Sequence, residues 1–152
     1  LDFLFLVASP DQGRQIKPLL NFHFATNLPV FTLSYIYSGE PSPAKDKDMD
    51  GIRFLDIPWI IEDSTLRQEV GTLWPDHHGN LQSLFAMGLD SYRLIDYLTL
   101  LQASPDMHLP GQTGTLSLGS DQRIHRELDW AVFNQGRAEP LPVVISSSPS
   151  GS

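Results

Sequence analysis

The sequence predicts an α/β protein, a parallel sheet flanked by helices and closed by a β-hairpin. Three observations point there. Two short, almost wholly apolar runs, residues 2–8 and 28–34, enclose a segment with helical spacing. A long stretch, residues 81–101, places Leu81, Leu84, Phe85, Gly88, Tyr92, Ile95 and the leucines near its end at three- and four-residue steps. An alternating segment, residues 115–133, is interrupted by turn residues at 119–122.

Each element follows from local chemistry. The run DFLFLVA over 2–8 has the continuous apolarity of a strand covered on both faces. Ser9-Pro10-Asp11 comes next: a hydroxyl to cap free N–H groups, a proline suited to the first helical position, and an acid at the positive end of the dipole. A helix is predicted over 10–25, with Ile16, Leu19, Leu20 and Phe24 on its apolar side and a kink at Pro18. Strand, helix and strand with short joins make a βαβ unit, whose crossover is almost always right-handed. After a polar connection over 35–50, GIRFLDIPWII (51–61) reads as a third strand, broken near Pro58. Thr65 and Gln68 have capping-box spacing, whereas Ser64 faces Arg67, so a short helix is expected over 66–73 with Thr65 as its cap. Small residues at Ala86, Gly88 and Ser91 allow the long helix a close approach to its neighbour. Residues 1–141 form one folded unit in this reading, and the Pro- and Ser-rich stretch 142–152 is a flexible tail.

A chain of 152 residues is long enough for one domain. With 41% hydrophobic and 18% charged residues, its composition is that of a globular protein. The net charge of −8 argues against a nucleic-acid partner, because phosphate binding relies on Lys and Arg. No apolar stretch approaches the ~18 residues of a membrane span. The opening residues carry Asp2 and no basic region, so they read as a strand rather than a signal peptide. Beginning in a buried-type strand, the chain reads as a piece of something longer. It contains no cysteine, hence no disulfide, thiolate nucleophile or Cys-based metal site.

Motifs for chemistry are thin. Asp46-Lys47-Asp48-Met49-Asp50-Gly51 matches the first half of a calcium loop, but the position that needs a bidentate glutamate holds Ile57. His77 and His78 are adjacent and cannot share a helix face, and His23, His108 and His125 fall in separate elements. Neither a nucleophile elbow nor a glycine-rich phosphate loop is present, so no catalytic residue, metal or cofactor is expected. Tyr35 and Tyr37 follow the second strand, at the sheet edge where open α/β folds take ligands, and Trp59 follows Pro58. These three are the candidate binding residues, able to line a small cleft, anchor a protein partner or cover the rim of the core.

The order of elements resembles the C-terminal part of type I periplasmic-binding proteins, a two-lobed fold. In them a βαβ piece of one lobe is followed by a strand of the kind seen at 51–58, a long helix of the other lobe, and a returning hairpin. The wording SPDQGRQIKPLLNFHFATNLPVF, LFAMGLDSYRLI and GQTGTLSLGSDQRIHRELDWAVFNQG is similar to the LppC family of outer-membrane lipoproteins, over residues 2–141. That resemblance implies a non-catalytic periplasmic regulator that binds a class A penicillin-binding protein and stimulates its peptide crosslinking. It also implies attachment to the outer membrane through a lipid anchor outside this sequence. The rival expectation is a solute-binding protein that closes on a small molecule or peptidoglycan piece between its lobes. In either case the apolar face of residues 84–101 lacks part of its cover, which predicts self-association of the isolated chain or burial against further chain.

Overall fold

The computed structural model describes residues 2–23, 27–74 and 81–142. Its main sheet has five strands in the order β1 (Leu4–Leu6), β2 (Val30–Thr32), β3 (Ile52–Asp56), β7 (Asp129–Asn134) and β8 (Arg137–Pro140). β1, β2 and β3 are parallel, with Leu4 opposite Val30 and Val30 opposite Ile52. β7 joins β3 antiparallel, with Asp56 opposite Asp129. A smaller antiparallel sheet contains β4 (Leu109–Pro110), β5 (Thr115–Leu118) and β6 (Ile124–Glu127).

Helix α1 (Pro10–Phe22) starts as its sequence requires. Ser9 accepts from the Gln12 N–H, Gln12 returns the bond to the Ser9 N–H at 2.9 Å, and Pro10 occupies the first turn. Ile16 and Leu20 lie against the main core, whereas Leu19 faces outward; the predicted continuation through Phe24 falls outside the described residues. Gly13 allows a close approach: a Cβ there would sit 2.5 Å from Ile36 Cδ1 and 2.9 Å from Met49 Sδ, so the ends of those two side chains would have to shift. Those two residues belong to 3₁₀ turns, Ser34–Ile36 and Lys47–Met49, which flank α2 (Pro43–Asp46). The polar connection expected over 35–50 is therefore an ordered cover of the sheet, with Ile36 and Met49 buried beside Val30, Ile52, Phe54 and Phe133.

The third strand is shorter than expected. It ends at Asp56, whose carboxylate accepts from the Ile57 N–H at 2.8 Å, and Pro58 opens a helical turn, α3 (Pro58–Ile61). Proline's fixed φ and missing N–H suit a first helical turn, which here outweighs the strand propensity of WII. α4 (Thr65–Leu73) is capped by Ser64, which accepts from the Arg67 N–H at 3.2 Å, so the cap falls one residue before the expected Thr65. The hydroxyl bond to the third helical N–H is enough without the reciprocal acid or amide. α5 (Gln82–Ala103) buries Ala86 and leaves Gly88 and Ser91 exposed.

The long strand predicted over 124–133 is two strands in two sheets. β6 pairs with β5, the chain crosses at Leu128, and β7 enters the main sheet. A second hairpin then turns at Gln135 (φ +50°) and Gly136 (φ +71°) into β8. Asp50 holds that turn by accepting from the Gln135 and Gly136 N–H groups at 3.0 and 2.8 Å. A second apolar cluster, Ile57, Trp59, Ile60, Val70 and Ala86 with Phe85 and Leu128 against it, joins α3, α4 and α5.

Candidate functional site

The chain passes between its two parts at neighbouring points, Ile57 after β3 and Leu128 before β7. Beside them, at the carboxyl ends of β2 and β3, lies a hollow of about 260 Å³ lined by Ser34, Tyr35, Tyr37, Asp56, Ile60 and, from α5, Ser83. This is the edge at which open α/β sheets place ligands. Tyr35 stands on its rim, 69% exposed. Tyr37 is half-buried, its ring 5.8 Å from those of Phe54 and Phe133. Burial pushes its hydroxyl pKa up to about 12, so the group stays a neutral donor.

Trp59 is elsewhere. Its side chain is 1% exposed within the second apolar cluster, 5.3 Å from the Phe85 ring, and its backbone N–H donates to the Gln112 carbonyl. The structure thus brings Tyr35 and Tyr37 into one hollow and makes Trp59 core, because Pro58 starts a helix whose apolar side faces α5 rather than a strand end facing solvent.

Asp56 was not singled out by the sequence. Desolvation raises its carboxyl to about 6, against the opposing pull of the Ile57 N–H and of Arg126. Across the strand pair Asp129 is also raised, by burial first and by Glu127 second. The available signal was position: an acid on the last residue of a parallel strand, in an otherwise apolar run.

Two polar clamps hold the surroundings. Asp90, 3% exposed on α5, accepts from the Gln112 and Thr113 N–H groups at 2.8 and 2.7 Å and from the Thr113 hydroxyl at 2.7 Å. Arg67 donates to the carbonyls of Ile60, Glu62 and Gly39 and to Gln82 Oε1, with distances of 2.9 to 3.4 Å. Beside it is a second hollow of about 360 Å³, between α3, α4 and β8.

The half calcium loop is put to other uses. Asp46 is buried against Arg14, whose Nε and Nη2 lie 2.9 and 2.8 Å from its Oδ1, and Asp50 holds the β7–β8 turn. Among the described residues no three His, Asp or Glu side chains converge as metal ligands; His77 and His78 lie outside them. Among the same residues no helix is long and apolar enough to cross a membrane.

Comparison with known proteins fits this architecture. The LpoA C-domain of Haemophilus influenzae, a regulator of PBP1A, superposes with a TM-score of 0.73 at 26% identity, over 93% of this chain and 45% of that one. A protein of Chromobacterium violaceum assigned to branched-chain amino acid ABC transport shares the fold, with a TM-score of 0.60 at 26% identity over 87% of this chain and 42% of that one. Among curated proteins, the penicillin-binding protein activator LpoA of Dickeya chrysanthemi is 32% identical over 143 residues, 92% of this chain. That of Pectobacterium parmentieri is 28% identical over 144 residues, 93% of this chain. The chain spans about a fifth of the length of these two curated relatives, 21% in each case. The family model for LppC lipoproteins matches residues 1–136. With nine-tenths of its length under that model, the chain belongs to the LppC lipoprotein family.

Proposed function

We propose that this chain is part of a non-catalytic envelope regulator that docks on a class A penicillin-binding protein and stimulates its peptide crosslinking. The observation that carries this is the match along nearly the whole chain to proteins named as activators of penicillin-binding proteins. The site's chemistry supports it: the described hollow offers hydroxyls, a half-buried acid and an exposed tyrosine. Tyr35 is the proposed anchor, since an exposed aromatic gives contact area with few rotatable bonds. The partner contact lies in the periplasm, with a lipid anchor supplied outside this sequence tethering the protein to the outer membrane.

The test is a titration of the full-length protein against the purified class A enzyme, with crosslinks in the glycan-peptide product as the readout. A saturable rise in crosslinking that Tyr35→Ala weakens is expected. No binding, or binding without a change in crosslinking, overturns the reading.

The hollow beside Asp56 favours a second reading, a solute-binding protein. Its test is thermal shift against amino acids and peptidoglycan pieces; a dose-dependent rise abolished by Asp56→Asn would favour it.

A further inference from the structure

The end of the main sheet away from the Tyr35 hollow holds a buried cation without a counter-charge. α1 turns Gly13, Ile16, Lys17 and Leu20 toward the sheet, the three- and four-residue spacing of one helical face. Lys17 is therefore drawn under the helix and is only 5% exposed. Its ammonium has no carboxylate, carbonyl or amide partner among the described residues. Burial without a compensating charge lowers its pKa. Sealed side-chain polar atoms without a partner are confined, among the described residues, to Thr32 Oγ1 and Trp59 Nε1. The Lys17 ammonium is not sealed, and opens onto the hollow that its residue lines.

That hollow, of about 260 Å³, lies at the amino ends of β2 and β3, where Asn27 and Pro29 lead into one strand and Asp50 and Gly51 into the other. Arg53 is a second cation on its lining; it lies over the Phe31 ring and has no ion-pair partner among the described residues. The carboxylate on the lining, Asp50, already accepts from the Gln135 and Gly136 N–H groups. The entrance stands open at Gly51, where a Cβ would meet nothing within 4 Å. The carboxyl end of α1, at Asn21, borders the hollow and steadies a cation, but it supplies only about half a charge.

We infer that this hollow binds a phosphate group, with Lys17 and Arg53 as its cations and the Asn27 amide as a further donor. Snorkelling accounts for the Lys17 stem alone, since a lysine that only covers a core sends its head into open water. Here the head stays inside a hollow, where an opposite charge stabilises it far more than in bulk solvent. The donors favour phosphate over carboxylate. They stand on three separate segments: α1, the turn before β2, and β3. Four tetrahedral oxygens can meet donors from several sides, whereas a carboxylate offers two in one plane, and lysine serves phosphate as a point charge. The group is carried by a small molecule or by a lipid headgroup, and the experiment separates the two. Nothing here rests on the proposed partner: the Tyr35 hollow lies at the opposite, carboxyl ends of the same strands.

Competitive acetylation of the full-length protein, read by mass spectrometry, reports Lys17 directly, with exposed Lys45 as the internal standard. With a Kd of about 1 mM, about 10 mM inorganic phosphate at matched ionic strength slows Lys17 acetylation about tenfold and leaves Lys45 unchanged. Phosphatidylglycerol vesicles that protect Lys17 at a lower phosphate content than the free ion support the proposal as well, and name a headgroup as the carrier. Calorimetry gives a second readout. Lys17→Met, which keeps an apolar stem, abolishes the heat of phosphate binding, and Arg53→Gln weakens affinity about tenfold. No protection of Lys17 overturns the proposal, and so does equal protection of Lys45, which is general ionic screening. Acetate that protects as well as phosphate overturns it too, and makes the hollow a carboxylate site. A phosphate heat that survives in folded Lys17→Met places the ion elsewhere and has the same force. The labelling uses the unaltered chain, so it decides the matter whether or not either variant folds.

Discussion

Replacing Asp90 by alanine tests the interior of the smaller half most sharply. Its carboxylate is almost fully buried and is the shared acceptor of two backbone N–H groups and the Thr113 hydroxyl, all within 2.8 Å. Bonds to a charged acceptor each contribute about 1.5–3 kcal/mol, and buried donors left without a partner lose the full desolvation term. Alanine also removes the cost of burying the charge, so the net loss expected is about 3–5 kcal/mol. Against domain stabilities of roughly 5–15 kcal/mol, that is a large share. Thr113→Val removes one of the three bonds and should cost about 1.5–3 kcal/mol. Urea unfolding followed by tryptophan fluorescence reports the change, since Trp59 donates its N–H to the Gln112 carbonyl in the same turn. An Asp90→Ala loss under about 1 kcal/mol, or Thr113→Val as damaging as Asp90→Ala, would refute the clamp.

Other perturbations probe the second half and the cleft. The Asp56 pKa rises from 3.8 to about 6 on folding, so the native state holds the proton more tightly than the unfolded chain. Stability from this group is full below the unfolded value and is lost as pH climbs through the folded one. Asp56→Asn should leave stability unchanged near pH 4 and raise it near pH 7.5 by up to about 2 kcal/mol, allowing for partial solvation; equal effects at both pH values would remove the desolvation argument. Gly114 has φ +130°, and a Cβ there would lie 2.2 Å from the Glu127 carbonyl, so Gly114→Ala should cost more than about 2 kcal/mol in the same unfolding assay. Asp50→Ala should loosen the β7–β8 turn, costing about 1–2 kcal/mol and speeding amide exchange at Gln135 and Gly136. Calcium at about 1 mM should leave the melting temperature unchanged, because Asp46 and Asp50 are already engaged; a clear rise would reinstate the calcium loop.

What the sequence disclosed divides along the range of the forces involved. β1, α1 and β2 were legible because their signals are local: apolar runs, a Ser-Pro-Asp start and a short join. The structure pairs β1 and β2 in parallel, with Phe5 opposite Phe31. α5 was legible from its spacing, and the bare apolar side expected of it is present at Leu84, Tyr92 and Ile95. The break at Leu128 was not, since alternation runs through residues 124–133 and only the competition of two sheets for the chain decides where it crosses. Trp59 was misplaced for a related reason: the same WII triplet reads as a strand end or as one helical turn, and Pro58 tips it to the second. Asp56 and Arg67 gave no motif. Their surroundings include Gly39 and Gln82, 28 and 15 positions from Arg67, and Arg126, 70 positions from Asp56, which no short window along the chain can show.

A protein that closes on a solute needs two bodies free to separate and rejoin. Here the axis such a motion would use, the adjacent crossings at Ile57 and Leu128, is bridged by Arg67. Its guanidinium ties the Gly39 carbonyl, on the loop leaving the main sheet, to Ile60 and Glu62 at the end of α3 and to Gln82 on α5. Opening the hollow by rotation would break bonds from a charged donor, at about 1.5–3 kcal/mol for each one lost without replacement. A weak solute does not supply that readily. Docking makes no such demand: a surface already held in shape loses less freedom on association, and most pre-organised partners move little when they bind. Tyr35 stands on the rim of this braced hollow rather than inside it, where a partner can reach it with the clamp intact. In the proposed reading, the brace that hinders closure also prepares the surface for a protein contact.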